Sequence, residues 1–198
     1  MADVPTQVER RAATRAALLA AARELFTEKG FAATGREEIA ERAGVTRGAL
    51  YHHFDSKAAA FAAVANELDA ELGERVVAAA RKSKSPYEQI KLSARACIEA
   101  FADPAVLRIL LTDAAAVLGP QWLRASNEAA CVTLLTPALE AAARDGHVVP
   151  GDAHIAAQLL LGMLNEAGAL IAAAPNPKAM LRRVAPTVDA MVERLLGA

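Results

Sequence analysis

Glycine and proline cut this chain into segments whose apolar residues recur three and four positions apart, a spacing that lines one face of a helix and suits no strand. The breaks fall at Gly30, Gly44, Asp55–Ser56, Lys82–Ser85 before Pro86, Asp103–Pro104, Gly119–Pro120, Gly146 with Pro150–Gly151, and Pro175–Asn176–Pro177. Between them the periodicity predicts about nine helices, at 6–29, 34–43, 46–54, 57–81, 86–102, 104–117, 120–145, 152–174 and 177–196. Alanine and leucine, the strongest helix formers, dominate a 54% apolar content, and aromatics are only 4%. The expected fold is all-α. Thr6 with Glu9 and Thr34 with Glu37 both show capping-box spacing, which satisfies free N–H groups at a helix start. Gly30 is placed to stop the first helix.

The two short helices, Glu37–Ala43 and Thr46–Phe54, are joined by a tight glycine turn and have the build of a helix-turn-helix. Ile39, Ala43, Val45, Leu50 and Phe54 supply an apolar inner side. Arg47, Gly48, Ala49, His52 and His53 remain for the outer side. In such a unit the second helix enters the major groove and its amino end meets base edges and phosphates. Gly48 permits close approach to a duplex, and Arg47 can read guanine or grip a phosphate. Thr34, Thr46, Tyr51 and Lys57 are placed for phosphates, which set register without reading sequence. A helical hairpin with no nucleic-acid role shows the same spacing. Charge does not decide between them. The chain carries a net −1 overall, and Met1–Lys57 holds nine Lys/Arg against eight Asp/Glu.

Residues 14–61 carry Leu25-Phe26, Gly30-Phe31, Thr34, Ile39-Ala40, Ala43-Gly44-Val45, Gly48-Ala49-Leu50-Tyr51, His53-Phe54 and Ser56-Lys57 in fixed register. This stretch resembles the DNA-binding domain of the TetR family of transcriptional regulators. The resemblance implies DNA contacts at Thr34, Thr46, Arg47, Gly48, Tyr51, His52, His53 and Lys57. It also implies a homodimer on palindromic operator DNA, assembled through about 152–174 and 177–196. A small molecule bound in the C-terminal half would release a repressor of this kind. Two positions depart from the family pattern: Gly35 stands where a larger residue is usual, and Ala58–Ala59 replace an acidic pair. The expected organisation is a DNA-binding domain at 1–57 with the motif at about 34–54, a connecting helix at 58–81, and a ligand-binding and dimerisation domain at 86–198.

The C-terminal half is less explicit. Leu159, Leu160, Met163, Leu170, Val184, Val188, Met191 and Leu195 are candidates for an intersubunit bundle, with Gly162, Ala167 and Gly168 allowing close packing; core within one chain is the other reading. Candidate ligand contacts are Phe61, Phe101, Leu107, Leu111, Trp122, Met163 and Asn165. Phe61, Phe101, Leu107, Leu111 and Met163 read first as core. Trp122 reads equally as a pocket floor or as packing. Asn165 and Glu166 read first as polar contacts inside the fold or the dimer, because an unpaired polar group in an apolar helix is costly.

No cofactor or metal is expected. Asp145-x-His147 and Asp152-x-His154 read as helix-terminus residues, and Cys97 and Cys131 lie in apolar stretches where a thiol is poorly reactive. No P-loop, GxGxxG, nucleophile elbow or paired Glu-x-x-His is present, so a helical metal-dependent enzyme is the remoter alternative. A DNA-binding architectural protein or regulator without ligand response is the nearer one. The opening lacks the apolar core of a signal peptide, and Ile155–Ala174 is interrupted by Gln158, Asn165 and Glu166. A cytoplasmic protein with no membrane partner is expected.

Overall fold

A computed structural model describes residues 6–147 and 151–197, and within them the chain is helical with no strand. The helices are α1 (Gln7–Ala33), α2 (Arg36–Arg42), α3 (Arg47–His53), α4 (Lys57–Ala80) and α5 (Pro86–Ala100), then α6 (Ala114–Leu118), α7 (Pro120–Ala130), α8 (Thr136–Arg144), α9 (Ala153–Ala173) and α10 (Pro177–Leu195). A π-helical segment, Val106–Asp113, runs into α6, and a second, Cys131–Leu135, joins α7 to α8. Counted with the α-helices they continue, these make nine helical segments among the described residues, as the punctuation predicts.

Local chemistry explains the boundaries. The Thr6 hydroxyl accepts from the Glu9 N–H while the Glu9 carboxylate accepts from the Thr6 N–H, a complete capping box. Gly30, at φ 78°, breaks helical geometry at the predicted stop, and one further turn follows to Ala33. Asp152 accepts from the His154 and Ile155 N–H groups and so starts α9. Asn176 caps α10, and Pro177 fills its first turn where no N–H is needed. Pro150 lies outside the described residues.

The Thr34–Glu37 capping box does not form. Gly35 is the N-cap of α2 and offers no side chain. The Thr34 hydroxyl turns back instead, donating to the carbonyls of Gly30 at 2.8 Å and Leu25 at 3.3 Å. The Lys29 ammonium pairs with Glu38 and holds its carboxyl below the usual range.

Contacts divide the chain into two compact units, with the division between Glu67 and Leu68, inside α4. In the first unit α1, α2 and α3 pack on one another around Leu18, Leu25, Phe26, Ile39, Leu50 and Phe61. In the second, α5 packs on α8, α9 and α10, and α9 also meets α8, α10 and both π-helical segments. α9 is long and apolar enough to span a membrane by length and composition alone. Ala156, Ala157, Leu160, Leu164 and Ile171 are buried among its neighbours, as befits a core helix.

Candidate nucleic-acid interface and ligand cavity

The turn between α2 and α3 depends on Gly44, whose φ of 66° is a left-handed conformation that side chains disfavour. The Val45 N–H returns to the Ala40 carbonyl, and the Thr46 hydroxyl caps α3 through the Ala49 N–H. Leu50, buried to 1%, and Phe54 then hold the inner side of α3, as the spacing predicts. Thr46, Arg47, Gly48 and His52 are exposed, Tyr51 is 43% exposed, and Ala49 and His53 are half-buried. These residues share one short helix and its cap. His53 is held below its ordinary pKa by partial burial and then by the positive charge of Arg11, His52 and Arg15.

Arg47 is exposed but engaged: its guanidinium pairs with Glu37 on α2 and meets the Tyr51 hydroxyl. An exposed pair of this kind is weak, screened by solvent and salt, so a phosphate or guanine can displace Glu37 at little cost. Gly48 has ordinary helical geometry, and a Cβ added there meets only the Thr46 hydroxyl oxygen, at 3.9 Å. The fold does not require a glycine at this position.

Two of the expected phosphate contacts, Thr34 and Lys57, are engaged within the fold. Thr34 is 2% exposed and its hydroxyl is spent inside α1, as described above. Lys57 also turns inward. Its ammonium donates to the carbonyls of Phe31 at 2.7 Å and Thr34 at 2.9 Å, with Ala32 at 3.4 Å, and sits 4.3 Å from the Phe31 ring centre. Those carbonyls end α1, where helical bonding leaves acceptors unmet and a cation is favoured.

In the second unit a cavity of about 870 Å³ opens among α4, α5, α7, α9 and the two π-helical segments. Its wall is mostly apolar, with Leu72, Val76, Val106, Leu110, Leu134 and Leu164 among its members. Four of the candidate ligand contacts line it: Phe101, Leu111, Trp122 and Asn165. Three do not. Phe61 belongs to the first unit, where its ring packs edge-on against Phe26 and Phe31. Leu107 and Met163 lie outside the lining. The Asn165 amide donates to the Asn127 side chain at 3.2 Å, a contact within the fold.

Asp69 and Ser126 also line the cavity, and the Ser126 hydroxyl sits 3.0 and 2.9 Å from the two Asp69 carboxylate oxygens. Burial pushes the Asp69 carboxyl up, and the serine restrains the shift. The Cys97 thiol, on the same wall, is pushed up to about 12 by burial and then by the Asp69 charge, so it remains a protonated thiol. The Cys131 side chain lies outside the described residues. Among the described residues no group of three or more His, Cys, Asp or Glu could hold a metal. His147 stacks on Tyr87, and Asp152 and His154 serve the start of α9 and its neighbours.

The sequence pattern of bacterial regulatory proteins of the tetR family matches residues 18–64, and that of the tetracyclin repressor-like C-terminal domain matches 87–195, more than half of the chain. A TetR-family transcriptional regulator from Pectobacterium atrosepticum is 34% identical, covers 98% of this chain and 99% of its own, and superposes with a TM-score of 0.83. The chain belongs to the TetR family. Two curated TetR-like relatives match over shorter stretches. The transcriptional activator FasR of Mycolicibacterium smegmatis is 39% identical over 45% of this chain and 39% of its own length. The transcriptional repressor BepR of Brucella suis is 35% identical over 51% and 49%. The chain therefore spans less than half the length of these two relatives.

Within this TetR-family motif, sequence reasoning missed Arg36. From α2 its guanidinium donates to the Phe54 carbonyl at 2.7 Å and lies 3.9 Å over the Tyr51 ring, fixing the far end of α3. No short spacing signals it, because the partners are brought together by the crossing of two helices. Asp69 and Ser126 were missed for the same reason, standing on α4 and α7.

The different settings of Arg47 and Lys57 separate their roles. Arg47→Ala is expected to keep the melting temperature and lose DNA affinity. Lys57→Met should lower stability by about 1–2 kcal/mol through the lost charged bonds at the end of α1. Thermal melts and DNA titrations across a salt series check both. An unchanged melt for Lys57→Met, with a flattened salt dependence, would return that lysine to the phosphates.

Proposed function

We propose that this protein is a transcriptional repressor that binds palindromic operator DNA as a homodimer and leaves it when a small molecule enters the cavity of the second unit. The observation that carries the reading is the outer side of α3. It presents a displaceable arginine, a glycine the fold does not need, an aromatic hydroxyl and two histidines on a helix held from behind by Leu50 and Phe54. Phosphates and base edges are the partners such a set recognises. The role is regulatory, not catalytic, and is exercised in the cytoplasm, where bacterial DNA lies. A titration of the protein against DNA from upstream of its own gene tests this, with Arg47→Ala as control. Equal affinity for that DNA and for scrambled duplex would remove operator recognition.

Dimerisation is supported by apolar side chains that α9 and α10 leave exposed: Ile155, Leu159, Leu170 and Met191. Leu160 and Val188, candidates for the same bundle, are 2% and 4% exposed and serve the core of one chain. Gly168 does likewise, since a Cβ there would come within 3.0 Å of Leu111 and Phe101. Leu159, at 71% exposure, is the most open of the apolar set on these two helices. Leu159→Glu should place a charge in the interface, weaken the dimer by about 2–4 kcal/mol, and reduce operator affinity with it. Sedimentation at micromolar concentration checks the first effect; an intact dimer would move the interface elsewhere.

A further inference from the structure

Asp69 is set in a mostly apolar cavity with one hydroxyl as its bonding partner, and no lysine, arginine or histidine pairs with it among the described residues. A single Ser126 proton serves one oxygen at a time, while an ionised carboxylate offers about four acceptor sites. Two other charged residues of the wall, Glu74 and Arg81, are exposed. Arg81 stands twelve residues further along the helical direction of α4, about 18 Å away. We propose that the cavity takes an amphipathic organic cation, its ammonium group paired with Asp69 and its apolar body against Trp122 and Phe101.

The inference rests on reading the cavity as a ligand site. A neutral hydrocarbon filling it would strip water from the carboxylate and leave it unmet in a low-dielectric setting. An anion would add repulsion. A cation supplies both the charge and the donors, and such charge-assisted bonds are the strong ones. The volume, about 870 Å³, lies within the range of roughly 300–1,000 Å³ that holds drug-sized molecules.

Trp122 is the sole tryptophan of the chain and lines the cavity, so its fluorescence reports occupancy without DNA. Decylamine, decanol and decanoate, below their aggregation concentrations, compare one chain with three charges. Decylamine is expected to bind on the order of tenfold to a hundredfold more tightly than decanol, and decanoate more weakly than either. Asp69→Asn should erase the preference for the amine, and Ser126→Ala, which keeps the carboxylate, should retain it. Asp69→Asn should also melt no lower than the parent. A carboxyl raised by folding weakens the fold above its folded pKa, and this penalty disappears as pH falls below that pKa.

Equal affinities for amine and alcohol, an amine preference that survives Asp69→Asn, or no Trp122 response to any probe would each overturn the assignment. Operator affinity is read separately. Selective amine binding that leaves the operator bound upholds the cation and removes ligand response from the function. Operator release by decanol or decanoate alone does the reverse.

Discussion

Phe61→Ala is expected to unfold the N-terminal unit and abolish DNA binding while the cavity of the second unit still takes its ligand. The Phe61 side chain is fully buried. Its ring centre lies 5.1 Å from Phe26 and 5.3 Å from Phe31, both edge-on. Truncating a buried phenylalanine removes about 3–5 kcal/mol, and each aromatic pair adds roughly 0.5–1.5 kcal/mol beyond its area. A unit this small has a total stability of about that size. The helices that present α3 would then lose their common core. Circular dichroism should show the loss of the first unit's helices, and Trp122 fluorescence should report the second unit unchanged. A variant with the wild-type melting profile would show that the triad is not the core of this unit. Ligand binding lost with DNA binding retained would restore Phe61 as a ligand contact.

Gly48→Leu should do the opposite, giving a protein at least as stable as the parent that no longer binds its operator. Gly48 stands in the first turn of α3, and a Cβ there makes only an ordinary contact, 3.9 Å from the Thr46 hydroxyl oxygen. Leucine there meets no strain and gains about 0.5–1 kcal/mol of helix propensity over glycine. On DNA the same side chain would stand between α3 and the duplex and push Arg47 and Tyr51 away from phosphates and base edges. Loss of affinity by a factor of a hundred or more is expected, because displacement by an ångström or two removes several polar contacts at once. The pair of measurements is a thermal melt and a titration on operator DNA. Retained affinity would place the duplex against another face and withdraw the role given to α3.

The two substitutions separate what is local from what is not. The capping box at Thr6 and Glu9, the stop at Gly30, the turn at Gly44 and the helix-terminus role of Asp152 were all legible. Each rests on bonds between residues at most a few positions apart. The motif was legible for the same reason. Leu50 and Phe54 inward, Arg47, Gly48 and His52 outward, follow from the rotation of a single seven-residue helix. Thr34 shows where local reasoning ends. Two chemically sensible acceptor and donor sets were within its reach, and its burial at the end of α1 selected the carbonyls of Leu25 and Gly30.

Sequence alone determined that this chain is helical, where most of its helices begin and end, and that α2 and α3 form the helix-turn-helix of a TetR-family chain, because caps, turns and amphipathic faces are properties of neighbouring residues. Only the tertiary structure decided that Lys57 closes α1, that Arg36 fixes α3, and that Phe61 belongs to an aromatic core. It alone also placed Asp69 and Ser126 on the cavity wall with Phe101, Leu111, Trp122 and Asn165, and not Leu107 or Met163. In alanine- and leucine-rich helices several faces are nearly equally apolar, so periodicity leaves the rotation of each helix open. The two π-helical segments, which carry Val106, Leu110, Leu111, Leu134 and Leu135 to the cavity, shift that rotation again. Which face points inward is settled by the packing of helices distant in sequence, and there the cavity and its carboxylate are made.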